Sequence, residues 1–193
     1  GDGENEIVFG SHDGNLYILS TTGIQELAYT QAGYIVGAPA LFDLDGDEDL
    51  EIIFTTQNGS NGKVYAIHHD GNDVDGFPAD ISEKMLVGAA VGDLEGDGSP
   101  DIVVVTWEDH IYAFNADGTT KSGFPFLASN RFNSPATLVD LDDDGDLEIV
   151  AGNDDGDLYI LHHDGSVMTT FSTGDDIRGG ISVADVNDDG SKE

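Results

Sequence analysis

A nine-residue acidic segment returns four times in 193 residues: DLDGDEDLE from Asp43, DLEGDGSPD from Asp93, DLDDDGDLE from Asp140 and DVNDDGSKE from Asp185. Successive starts lie 50, 47 and 45 residues apart. The opening GDGENE matches the last six positions of the same nonamer, which puts Glu6 45 residues before Glu51. A fixed period of this length means one structural unit repeated in tandem. The periods run over 1–42, 43–92, 93–139 and 140–184, and 185–193 starts the next, with no linker or composition shift between them.

Each nonamer leads into a short apolar run: Ile7-Val8-Phe9, Ile52-Ile53-Phe54, Ile102 to Val105 and Ile149-Val150-Ala151. After a Gly or Asp turn comes a second run with an aromatic at its second position, at Tyr17, Tyr65, Tyr112 and Tyr159. Short β-branched and aromatic runs between turn residues read as strands. A third strand is expected at Gly76-Phe77-Pro78 and Gly123-Phe124-Pro125, on an outer edge where proline's missing donor costs least. The segment before each nonamer, such as Ala38 to Phe42, supplies a fourth. No segment shows sustained helical periodicity. Four short strands every 45–50 residues predict an all-β fold, a β-propeller built of tandem four-stranded blades. Four periods are expected to form part of a larger propeller. A closed four-bladed ring, with a strand near Ile181 to Ala184 pairing beside Ile7 to Phe9, is the alternative.

The chain carries 39 Asp and Glu against 6 Lys and Arg, a formal net charge of −33. Such a surface repels polyanions, which excludes nucleic acid as a partner. No run of 18 apolar residues offers a membrane-inserting helix. With no cysteine there is no disulfide, and 38% hydrophobic residues are too many for a solvating tail. Of the 39 acids 29 are Asp, a residue of turns and a compact oxygen ligand.

That bias is concentrated in the nonamers. The candidate metal ligands are Asp43, Asp45, Asp47, Asp49 and Glu51; Asp93, Glu95, Asp97, Ser99 and Asp101; Asp140, Asp142, Asp144, Asp146 and Glu148; and Asp185, Asn187, Asp189, Ser191 and Glu193. In each set positions 1, 3, 5 and 9 offer side chains and position 7 a backbone carbonyl. Like charges ~4 Å apart repel by about 4 kcal/mol at an effective dielectric of ~20, so four carboxylates in one turn call for a cation. Oxygen-only donors in a flexible loop favour Ca²⁺, about one per complete loop, with Mg²⁺ second. Gly98, Gly145 and Gly190 at position 6 permit the bend, and Glu48 stands there in the first complete loop. The loop is no EF-hand, because the twelfth residues Phe54, Val104 and Ala151 lie in expected strands.

The Asp-x-Asp-x-Asp-Gly-x-x-Asp/Glu loop, the strand ending in Gly10 or Gly152 and the following GxLYxL strand together resemble the FG-GAP/VCBS repeat family, in its divergent bacterial form. This propeller type also occurs in integrin α-subunit heads. The resemblance spans essentially the whole chain and implies a propeller of six to eight blades with calcium in each hairpin loop, carried here by the ligands just named.

No nucleophile elbow, HExxH, phosphate-binding glycine loop or cysteine nucleophile occurs. The pairs His68/His69 and His162/His163 share one repeat position and are expected to be structural. Trp107 is expected to plug a turn. The expected function is therefore a non-enzymatic, calcium-binding propeller module for protein or glycan interaction, in a secreted or cell-surface protein and joined to further repeats of the same polypeptide. The alternative is the propeller portion of a secreted enzyme, such as a polysaccharide lyase or a peptidase-associated domain. A PQQ-type quinoprotein is a third reading, prompted by GxVYAI and the DG turn after it.

Overall fold

The structure, a computed structural model, describes residues 3–31 and 33–192. Among them it has sixteen strands and no helix. The chain divides into two compact units: Gly1–Ala89 with Ala116–Thr119, and Ala90–Asn115 with Thr120–Glu193.

In the first unit, β1 (Glu6–Gly10), β2 (Asn15–Ser20) and β3 (Gln25–Thr30) form an antiparallel meander. The second sheet is built on β6 (Glu51–Asn58) and β7 (Asn61–Ile67), edged by the short β8 (Ala79–Asp80). On its other side, β4 (Tyr34–Ile35) and β5 (Ala40–Phe42) both pair with β6, as two pieces of one interrupted strand. Apolar residues on alternate positions meet between the two sheets: Leu16 and Ile18 of β2 pack with Ile35, Ile52, Phe54, Tyr65 and Ile67. Phe54 stacks on Tyr65 at 5.0 Å between centroids, and Tyr29 meets Phe54 edge-on at 6.0 Å. Each fully buried side chain of this size stabilises by about 1.5–3 kcal/mol.

The second unit repeats the plan twice. β9 (Ala90–Gly92), β10 (Asp101–Val105), β11 (His110–Asn115) and β12 (Phe126–Leu127) form one four-stranded sheet. β13 (Thr137–Val139), β14 (Glu148–Gly152), β15 (Asp157–Leu161) and β16 (Val167–Ser172) form the other, in spatial order. The expected tandem blades are therefore present: the last three are each begun by the strand ahead of the nonamer, and the first has three strands instead of the expected four.

Two details differ from expectation. Pro78 and Pro125 precede the outer strands instead of lying in them, each in a cis peptide bond to a phenylalanine. Proline has no N–H for the ladder, so pairing resumes one residue later, at Val64↔Ala79 and Ile111↔Phe126. Residues 181–184 form no strand; the Ile181 carbonyl instead accepts a hydrogen bond from Thr137 Oγ1 at 2.9 Å.

The glycine that ends a strand in the repeat signature has a packing reason. A Cβ on Gly10 would lie 2.0 Å from Ile35 Cγ2, and one on Gly152 would lie 2.3 Å from Ile177 Cγ2. Only glycine admits so close an approach.

Candidate metal loops

The first three complete nonamers are hairpin connections, each inside one sheet. Residues 43–51 (loop I) join β5 to β6, 93–101 (loop II) join β9 to β10, and 140–148 (loop III) join β13 to β14. Their ends face each other as Phe42↔Glu51, Gly92↔Asp101 and Val139↔Glu148. Residues 185–192 (loop IV) belong to the fourth copy, and its last candidate ligand, Glu193, lies outside the described residues.

A shared set of backbone contacts shapes the four loops. The position-1 carboxylate accepts amide hydrogens from across the turn: Asp43 from Gly46 and Glu48, Asp93 from Asp97 and Gly98, Asp140 from Asp143, and Asp185 from Asp189 and Gly190. The position-5 carboxylate accepts from position 7 in every loop, at 2.9 Å for Asp47, 2.8 Å for Asp97 and 2.9 Å for Asp144 and Asp189. Asn187, standing where the others have an acid, accepts from the Asp189 amide. The Gly190 amide, foremost, holds the Asp185 carboxyl below the usual carboxylate range.

Position 9 is different in kind. Glu51 and Glu148 are 0% exposed and Asp101 is 2% exposed. One oxygen of each accepts the position-2 amide, at 2.8 Å from Leu44, 3.1 Å from Leu94 and 2.7 Å from Leu141. The acid thus pins the loop to its own sheet and leaves its second oxygen for another partner.

In loop I that oxygen, Glu51 Oε1, meets His68 Nδ1 at 3.1 Å. In loop III the equivalent His162 Nδ1 stands 3.8 Å away, and Glu148 Oε1 is buried with no hydrogen-bond partner. The neighbouring histidines approach position 7, His69 to Asp49 at 3.7 Å and His163 to Asp146 at 2.8 Å. In loop II the second oxygen, Asp101 Oδ1, accepts from Lys121 Nζ at 2.8 Å, and the same ammonium reaches Glu95 Oε2. Burial raises the Asp101 carboxyl, to about 6, against the opposing pull of Lys121. Burial also acts to lower the Lys121 ammonium, but its hydrogen bonds to Asp101 and Glu95 outweigh that and raise its pKa.

Part of each expected ligand set in loops I to III converges, while Asp49, Asp97, Asp146, Asp185 and Asp189 belong to no such group among the described residues. Asp43, Asp45 and Asp47, like Asp140, Asp142 and Asp144, each bring one oxygen to within 4.8 Å of the others; so do Asp93, Glu95 and Asp101. Asp45, Glu51 and His68 form a further such group, and Asp142, Glu148 and His162 another. The all-oxygen groups of Asp43, Asp45 and Asp47 and of Asp140, Asp142 and Asp144 fit a hard divalent cation, whereas the groups at Glu51 and Glu148 each include a histidine nitrogen.

The histidine pairs and Lys121 lie at these loops although sequence reasoning gave them no part there. The signal was available: both histidine pairs follow the Tyr-bearing strand, and Lys121 is one of only six Lys and Arg residues. A separate charge cluster, also unforeseen, centres on Asp154. It accepts from Arg131 Nε at 2.6 Å, Asn133 Nδ2 at 2.6 Å and Arg178 at 3.0 and 3.1 Å. Burial alone would raise the Asp154 carboxyl, yet the arginines and Asn133 bring it down to about 2. Trp107 does sit in a turn, with the Arg131 guanidinium 4.3 Å from its ring centroid.

Comparison with known proteins agrees with this architecture. The sequence model of the FG-GAP-like repeat matches residues 43–104 and 93–151, more than half of the chain. No curated protein matches. Among solved structures, BamB from Moraxella catarrhalis superposes with a TM-score of 0.66 at 16% identity, covering 93% of this chain and 49% of that one. BBS1N, solved in complex with ARL6DN, gives a TM-score of 0.63 at 13% identity, with 86% and 50% covered. The computationally designed Ika8 protein gives 0.65 at 12% identity, with 96% and 52% covered. The chain thus spans about half the length of the structures it matches, and at these identities the likeness shows the fold alone. With acidic hairpin loops repeated at one place in tandem antiparallel blades, the chain belongs to the FG-GAP-like repeat family of β-propellers.

Proposed function

We propose that the chain is a calcium-stabilised, non-catalytic propeller module that presents a surface to a protein or glycan ligand in a secreted or cell-surface protein. The observation that carries the calcium reading is Glu148 Oε1, fully buried beside Asp142 and, among the described residues, without a hydrogen-bond partner, His162 Nδ1 standing 3.8 Å away. A buried charged oxygen left so is costly unless a cation meets it. In this reading Asp140, Asp142, Asp144 and Glu148 hold the ion in loop III, and Asp43, Asp45, Asp47 and Glu51 hold one in loop I. Asp185, Asn187 and Asp189 start a further site of the same pattern in loop IV. The ion would neutralise the clustered carboxylates and lock each hairpin to its sheet.

The proposed setting rests on the affinity range of sites of this kind. Sites of extracellular modules have dissociation constants of ~0.1–1 mM, so they fill outside cells and stay empty in cytosol. Ile7 and Phe9 on β1 and Val167 and Phe171 on β16 are exposed apolar residues that further blades of the same kind would cover. Thermal unfolding with excess calcium and with EGTA tests the reading. Calcium should raise the melting temperature strongly, and an unchanged melt would refute it.

A further inference from the structure

We infer that loop II carries its own cation: the Lys121 ammonium occupies the place that a divalent ion takes in loops I and III, so loop II folds without metal. This rests on the calcium reading of the other two loops and sharpens it to particular loops.

The geometry is on one side chain. Lys121 is 8% exposed, and its Nζ lies between Asp101 Oδ1 and Glu95 Oε2, the carboxylates of positions 9 and 3. Those are two of the three groups that converge in this loop. An ammonium supplies up to three donors from one point charge, and here it closes on the oxygens that would otherwise face a metal.

The repeat itself shows that this is a substitution of one device for another. Lys121 N–H donates to the Ala113 carbonyl and Val74 N–H donates to the Ala66 carbonyl, both at 2.9 Å, so the two residues hold the same place in successive blades. Asn115 likewise stands where His68 and His162 stand, three residues beyond the strand tyrosine. The blade with Val74 has a histidine on its position-9 acid; the blade with Lys121 has none there. The acids change with it. Position 3 lengthens from Asp45 and Asp142 to Glu95, while position 9 shortens from Glu51 and Glu148 to Asp101. Four positions therefore change together in the loop that holds the lysine. A buried acid needs a positive partner, and this blade builds one in.

Native mass spectrometry of the whole chain, stripped of metal and titrated with calcium, decides the matter. Asp97→Asn, on the exposed side of loop II, should leave the number of bound ions as in the wild type. Asp47→Asn and Asp144→Asn should each lower it by one. Lys121→Val should raise it by one and make the melting temperature more sensitive to EGTA, and the paired change His68→Asn with Val74→Lys should remove one ion from loop I. An ion lost in Asp97→Asn overturns the inference even if the Lys121 variants fail to fold. Should the wild type bind no calcium at all, the calcium reading itself fails; Lys121→Val then judges the lysine alone, an ion gained supporting it and none gained overturning it.

Discussion

Loops II and III lie side by side in one unit, tied by the Leu147 amide donating to the Leu94 carbonyl at 2.8 Å. They share strand register, the turn hydrogen bond from position 7 to the position-5 acid, and a buried acid at position 9 that holds the position-2 amide. They part at that acid's second oxygen, which meets Lys121 in loop II and nothing within hydrogen-bond reach in loop III. The difference separates two roles that the nonamer merges. One oxygen of position 9 is a structural anchor whatever the ion, and the other sets a demand for positive charge that the chain can meet from within or from solution.

The largest effect should come from removing what solution supplies. A site filled at ~100 times its dissociation constant adds about 2.7 kcal/mol, so emptying loops I and III together should cost about 5 kcal/mol, read as the gap between calcium and EGTA unfolding curves. Glu148→Gln should close about half of that gap. If it closes none, loop III is not where calcium acts.

The next effect runs the other way round. Lys121→Met keeps the apolar stem and removes the charge, leaving Asp101 buried without a counterion. Breaking a buried pair in this manner costs about 3–5 kcal/mol. Denaturation in EGTA should show that loss, and calcium should restore part of it in the variant while doing no more for loop II of the wild type. A loss of the same size with and without calcium would mean that the lysine matters for packing alone.

The blades were legible in the sequence because strand length, turn residues and the 45–50-residue period all point to one answer. Ile52 to Phe54, Ile102 to Val105 and Ile149 to Ala151 lie in strands, as their β-branched runs require. The loops were legible for the same reason, since the acids at positions 1, 3, 5 and 9 repeat in phase. What could not be read was which residues from other strands close on them. His68, His162 and Lys121 lie 17, 14 and 20 residues beyond the acids they approach, and hydrogen-bonded register rather than sequence spacing brings them near. Asp154 escaped notice because its partners Arg131, Asn133 and Arg178 come from both sides along the chain.

Asp154 extends the comparison beyond the loops, since it too is a buried acid met by the chain's own cations. Its pKa is lowered from 3.8 to about 2, so the charge network adds stability that is fully present above about pH 4 and lost as the pH falls toward 2. The shift is worth about 2 kcal/mol. Unfolding free energies of the wild type and Asp154→Asn should differ by at least that near neutral pH and draw together in acid. A difference independent of pH would assign the effect to hydrogen bonding instead of charge.

The smallest effect separates loop I from loop III at position 6, where Glu48 has φ 74° and Gly145 has φ 99°. A left-handed conformation costs a non-glycine residue about 1–2 kcal/mol, whereas glycine gives back about 0.5–1 kcal/mol through the flexibility of its unfolded chain. Glu48→Gly should therefore stabilise by up to about 1 kcal/mol. Gly145→Ala should destabilise by a similar amount, and purely through its backbone, because no atom lies within 4 Å of where its Cβ would point. Both changes should appear in EGTA as well as in calcium, since they act on the bend and leave every proposed ligand in place. If Glu48→Gly gains stability only when calcium is present, the bend in loop I is set by the ion, and the turn hydrogen bonds of Asp43 are insufficient to form it alone.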